Sequence, residues 1–226
     1  MEKRARFLKA FSVYDLLLIA MLTALAVAFK VAVKMLIGFI ATPLGIPGGS
    51  LAGGLYMLWM PLALGLVKKR GAALLMTLTQ SLTLFITGMP GGHGAWTFPI
   101  YMIPALIVEI VFLFSRSGKF NIIHFIAACC LANVAGTIGS DILYFRVIDS
   151  LFLNLGSLAI AVFLLGSAAF SGAVGGVLGY LVYKSADKSG LISKITGEVA
   201  AAEKTPSYVV ESASPLEVMQ NTEGEI

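Results

Sequence analysis

The sequence predicts an all-α, polytopic membrane protein, a compact bundle of six transmembrane helices, and three observations predict it. First, 58% of the 226 residues are hydrophobic and only 12% are charged, with a mean hydropathy of +0.91, so the chain lacks the charged exterior that a soluble domain of this length needs. Second, apolar stretches recur at about 14–40, 51–67, 72–87, 98–114, 122–145 and 151–183, and a bilayer helix needs about 20 residues, range about 17 to 25. Third, the breaks between these stretches carry charge asymmetrically. Lys3, Arg4, Arg6 and Lys9, then Lys68, Lys69 and Arg70, then Arg116 and Lys119, then Lys184, Lys188 and Lys194 all fall on one side if six spans alternate. By the positive-inside rule that side is the cytoplasm, which puts both termini there, in the cell membrane.

The first stretch follows a basic segment, MEKRARFLK, and is too long for a signal peptide. The second to fourth stretches are short and the last is overlong. The opposite side receives TPLGIPGGS, TGMPGGHGAWTFP and RVIDS, rich in glycine and proline and therefore turns or lids. Residues 1–184 form the membrane domain on this reading. Residues 185–226 change to a polar composition, acidic toward the end, with no apolar period, as in a disordered cytoplasmic tail. Cys129 and Cys130 are adjacent in an apolar run and make neither a disulfide framework nor a spaced metal site.

Small residues repeat at four-residue spacing in three places. In lipid, helices gain nothing by hiding apolar surface from lipid tails, so association depends on close packing, which small residues permit. Ala20, Ala24 and Ala28 form one stripe, and packing against another helix of the same chain is its simplest use. Ala128, Ala132, Gly136 and Ser140 form a second. Ser167, Ser171, Gly175 and Gly179 form a third, beside Ala168, Gly172 and Gly176. Two stripes on one helix predict close neighbours on two sides.

Function is sought among charges inside the membrane, each of which costs about 2.5 to 3.5 kcal/mol at mid-helix on insertion scales. Lys30, Lys34, Glu109 and Asp141 are the candidates. At about 1.5 Å per residue the lysines and Asp141 fall in the outer half, and Glu109 falls deepest, about 16 Å below the outer entry of its span. The lysines could instead snorkel to headgroups, and Asp141 could pair with either. Near them, Tyr56 and Trp59 in the second span, Gln80 with Thr77, Ser81 and Thr83 in the third, and Trp96, Phe98 and Tyr101 at the start of the fourth suit a flat polar ligand. An aromatic platform with a buried carboxylate would hold a cationic or amino-substituted heterocycle. An interfacial aromatic belt is the other reading of Trp96 and Tyr101, and His93 in its glycine-rich loop reads as a solvated turn residue.

The chain has no GxxxxGK[ST] phosphate loop, no HExxH helix and no Cys/His cluster at metal spacing. ATP hydrolysis by this chain, a resident metal or cofactor and a nucleic-acid partner are therefore not expected. Nor are there two matched discontinuous helices of an inverted-repeat transporter.

Six spans within about 190 residues, the AxxxA stripe, KKRGAAL at 68–74, TGMPGG at 87–92, EIVFL at 109–113 and FSGAVGGVLGYLV at 170–182 together resemble the substrate-binding S component of energy-coupling factor (ECF) vitamin transporters. The thiamine/hydroxymethylpyrimidine group of that family is the nearer match. The resemblance implies a subunit that binds a vitamin from outside and works with a transmembrane T component and two cytoplasmic ATPases. It also implies that Ala20, Ala24 and Ala28 dock the T component. One departure concerns the third span, where the family pattern has acidic residues and this chain has MTLTQSLTLF, which weakens the grounds for a cationic ligand. An ATP-independent permease and a ligand-free membrane scaffold are the alternatives from other classes.

Overall fold

The computed structural model describes residues 11–41, 43, 48–89, 93–115, 120–145 and 155–190, and every helix and turn below lies within them. The two glycine- and proline-rich loops at 42–50 and 87–99 are described only in part. The RVIDS segment and most of the polar tail lie outside the described residues. Among the described residues all regular elements longer than an isolated bridge are helical: α1 (Val13–Ala41), α2 (Gly48–Met57), α3 (Trp59–Val67), α4 (Ala72–Thr87), α5 (Thr97–Leu113), α6 (Ile122–Ser140), a π-helical turn (Asp141–Phe145) and α7 (Leu155–Lys188). Among the described residues five apolar stretches are long enough to cross a membrane, and α4, at 16 residues, is a shorter apolar helix. The protein is a multi-pass membrane protein.

Local chemistry explains the helix limits. Ser12 and Asp15 form a reciprocal capping box at the start of α1: the Ser12 amide and hydroxyl donate to Asp15 Oδ2 at 2.8 and 2.9 Å, and the Asp15 amide donates to Ser12 Oγ at 3.3 Å. The second span is a single apolar stretch, Gly48–Val67, broken at Leu58. Pro61 has no N–H for the Met57 carbonyl, so the helix restarts there. The KKRG turn then reverses the chain through left-handed Lys68 (φ 56°) and Gly71 (φ 84°). That reversal carries Lys69 under α1, where its ammonium meets Asp15 at 2.5 Å in a pair almost closed to solvent. The last helix runs to Lys188, four residues beyond the 184 boundary expected from composition.

Helix α7 is the centre of the packing, with α6 on one side and α2 on another. The two small-residue stripes face these two neighbours. A Cβ on Gly172 or Gly176 would strike the α6 backbone at Cys129–Cys130 or Phe125–Ile126, and one on Gly175 would strike the carbonyl of Gly54 in α2. Polar groups rivet the same contacts: the Gly54 amide donates to Ser171 Oγ at 3.0 Å, and Asn133 Nδ2 donates to the Ala168 carbonyl at 2.8 Å. The α1 stripe behaves differently. Ala20, Ala24 and Ala28 are all exposed, as are Met21, Leu25 and Leu17 beside them, so no helix among the described residues covers this face.

The bundle is solid at one end. Phe112, Phe120, Phe125, Tyr180 and Tyr183 pack with ring centroids 4.8 to 6.4 Å apart, in one core with Ile19, a turn after Asp15, and Val67, two residues before Lys69.

Gly175→Ala should lower stability in detergent by about 1 to 3 kcal/mol or more through overpacking, whereas Gly166→Ala, whose added Cβ meets open space, should leave it unchanged or slightly higher; thermal unfolding of both variants checks this. Lys69→Met should cost about 3 to 5 kcal/mol by leaving Asp15 buried and unpaired, and Lys69→Met with Asp15→Leu should recover most of that loss in the same assay.

Candidate functional site

At the other end, where α1 and α6 finish and α2, α5 and α7 begin, the helices splay around a cavity of about 290 Å³. In the middle of α2, Gly54 lets the backbone approach that of α7 at Ser171, and Gly53 leaves room for the Asn133 side chain, which a Cβ there would overlap. Asn133 is 1% exposed, yet it borders the cavity.

Five residues expected from sequence to form the site line this cavity: Lys30 from α1, Tyr56 from α2, Gln80 from α4, Tyr101 from α5 and Asp141 from the π-helical turn. Lys34, one turn above Lys30, and His93 also line it. The Lys30 ammonium donates to the Tyr101 hydroxyl and sits over the rings of Tyr56 and Tyr101, 5.0 and 3.9 Å from their centroids. It is buried, and so does not snorkel to the surface. Asp141 is 4% exposed at the head of the π-helical turn, a helix form that often marks functional positions. His93 is brought to the cavity by a turn in which its amide donates to buried Thr97 Oγ1 at 2.7 Å. Burial, followed by the charges of Lys34 and Lys30, lowers His93 to about 4, so its imidazole is neutral near pH 7.

Three expected residues lie elsewhere. Glu109 is one turn from the end of α5, away from the cavity. The fourth span is only 17 residues long, so a residue 12 positions from its start is close to the far end and not at mid-membrane. Its Oε1 accepts the Ala73 amide at 3.0 Å, and the amides of Gly71 and Leu74 and the charge of Arg70 face it as well. The N-cap of α4 is Gly71, which has no side chain to cap with, and Glu109 fills that role from another helix. Trp59 packs edge-on against Phe29 at 5.6 Å, between α1 and α3. Trp96 is 49% exposed at the rim of α5, as an interfacial aromatic would be.

The third-span hydroxyls are also accounted for. Thr77, Thr79 and Thr83 donate to the carbonyls of Ala73, Leu75 and Thr79 at 2.7 to 2.9 Å, so Gln80 is the residue of α4 that lines the cavity. Ser50, Asn133, Thr137 and Ser140 also border it and were not singled out from sequence. Of these, only Ser140 belonged to a recognised pattern, the small-residue stripe, in which it reads as packing. Among the described residues no group of three or more His, Cys, Asp or Glu side chains could hold a metal ion.

Glu109→Ala should lower thermal stability by about 1 kcal/mol, the usual cost of a lost helix cap, with no change in the ligand retained on purification; unfolding scans and ligand quantification on one preparation check both.

Comparison with known proteins adds a family and a fold. The profile of a family described as "ABC-type cobalt transport system, permease component" matches residues 14–135, more than half of the chain. No curated protein matches the sequence. A crystal structure described as an S-component of an ECF transporter superimposes with a TM-score of 0.67 at 19% identity, covering 88% of this chain and 100% of that one. The two share a fold.

Proposed function

The chain belongs to the family of permease components of ABC-type cobalt transport systems, and on that premise we propose that it is the substrate-binding S subunit of an ECF-type importer. In this reading it takes up a small water-soluble vitamin or vitamin precursor from outside and works with a T component and two cytoplasmic ATPases. The observation that carries the reading is the cavity: about 290 Å³, at one end of the bundle, bordered by the polar groups of Lys30, Gln80, Tyr101, Asn133 and Asp141. Such a hollow in an otherwise apolar membrane protein is a ligand site by default. The positive-inside assignment puts its mouth outside and Asp15–Lys69 at the cytoplasmic end.

The bare alanine stripe supports the partner. Ala20, Ala24 and Ala28 present a surface on which another helix can approach closely, and we assign it to the T component. Thiamine and its hydroxymethylpyrimidine precursor are the ligands implied by the sequence resemblance. Thiamine, which carries a fixed positive charge, suits this cavity poorly, because Lys30 already lies over both tyrosine faces that a positive charge would seek. The family description names cobalt. A bare cation fits poorly here, since Asp141 and His93 share the cavity with two lysines.

Denaturing the detergent-purified protein and identifying released small molecules by mass spectrometry should yield an organic vitamin or precursor at close to one per chain. Recovery of nothing, with no thermal shift from any vitamin, would return weight to a scaffold or an autonomous permease. Ala24→Trp should retain the ligand but abolish co-purification with the T component and uptake into cells; an intact complex would assign the stripe to lipid contact alone.

A further inference from the structure

We infer that the ligand of this cavity carries an anionic group, a carboxylate or a phosphate, bound between Lys30 and Lys34; this rests on reading the cavity as the binding site. The two lysines are four residues apart on α1, so they project from one face, and both line the cavity. Among the described residues neither forms an ion pair, the Asp15–Lys69 bridge being at the opposite end. The two ammonium groups share the hollow with the Asp141 carboxylate but form no ion pair with it among the described residues; they repel each other, and the buried one, Lys30, is also stripped of water. An anion between them relieves both costs with charge-assisted hydrogen bonds.

The aromatic groups point the same way. Tyr56 and Tyr101 could have formed a cage for a ligand cation, but the Lys30 ammonium already occupies their faces. A cationic ligand would therefore enter as a further positive charge with no ring face left for it. Gln80 and Asn133, with the neutral imidazole of His93, can meet the uncharged polar edges of a heterocycle. The ligand class is thus a small acid, such as a ring carboxylate or the phosphate ester of a pyrimidine alcohol.

The test uses the full chain in detergent and matched pairs: nicotinate against nicotinamide, pantothenate against panthenol, and hydroxymethylpyrimidine phosphate against hydroxymethylpyrimidine, with thiamine added singly. Calorimetry should show that any binding pair prefers its acid by at least about tenfold, and the molecule released on denaturation should be an acid. Lys34→Gln and Lys30→Met should each weaken the acid by on the order of tenfold or more, and so narrow or abolish the preference for the acid over its neutral partner. Lys34 is exposed enough that its variant should fold normally. Tighter binding of the neutral member or of thiamine, or acid affinity unchanged in both folded variants, overturns the inference and leaves the binding subunit standing. Binding of Co²⁺ alone, or of nothing with nothing released, overturns both.

Discussion

Backbone-to-backbone contact along α7 is the constraint on which the rest of this structure depends. Inside a bilayer there is no gain from hiding leucine from lipid, so a bundle is held by dispersion and by polar groups that reach across short gaps. Gly172 and Gly176 bring α7 onto the backbone of α6, and Gly175 brings it onto that of α2. Only at such short range can Gly54 donate to Ser171 and Asn133 to Ala168. Once α2 and α6 are pinned to α7 in this way, their ends at Gly48 and Asp141 flank the cavity that α1, α4 and α5 complete.

The two ends of the bundle are built on opposite principles. One is filled by stacked aromatic rings and locked by a buried ion pair and a helix cap borrowed from another helix. The other is left hollow, with two lysines, a carboxylate and two amides bordering it. The packed core and the polar hollow are thus separated along the bundle.

The alanine stripe of α1 shows how one sequence pattern can have two meanings. On α7, small residues at four-residue spacing are consumed by contacts within the chain. On α1 the same spacing faces outward, with Leu17, Met21 and Leu25 exposed alongside. Spacing alone cannot separate these uses, because it states that a helix may be approached closely but not by what.

The sequence by itself determined the membrane class, the order and approximate limits of six spans, and the two-sided packing of the last helix, because hydropathy and residue size are local properties. It also nominated Lys30, Tyr56, Gln80, Tyr101 and Asp141, because charged, polar and aromatic side chains in lipid are conspicuous wherever they fall. Only the tertiary structure decided which of the nominees meet. Glu109 fell out of the cavity because depth depends on where its short helix starts, and Asp15 went unnoticed because its partner Lys69 reaches it only through the left-handed turn at Lys68 and Gly71. The environment of Lys30 was likewise invisible from sequence, since a lysine and two tyrosines on three different helices become one cluster only when those helices are assembled.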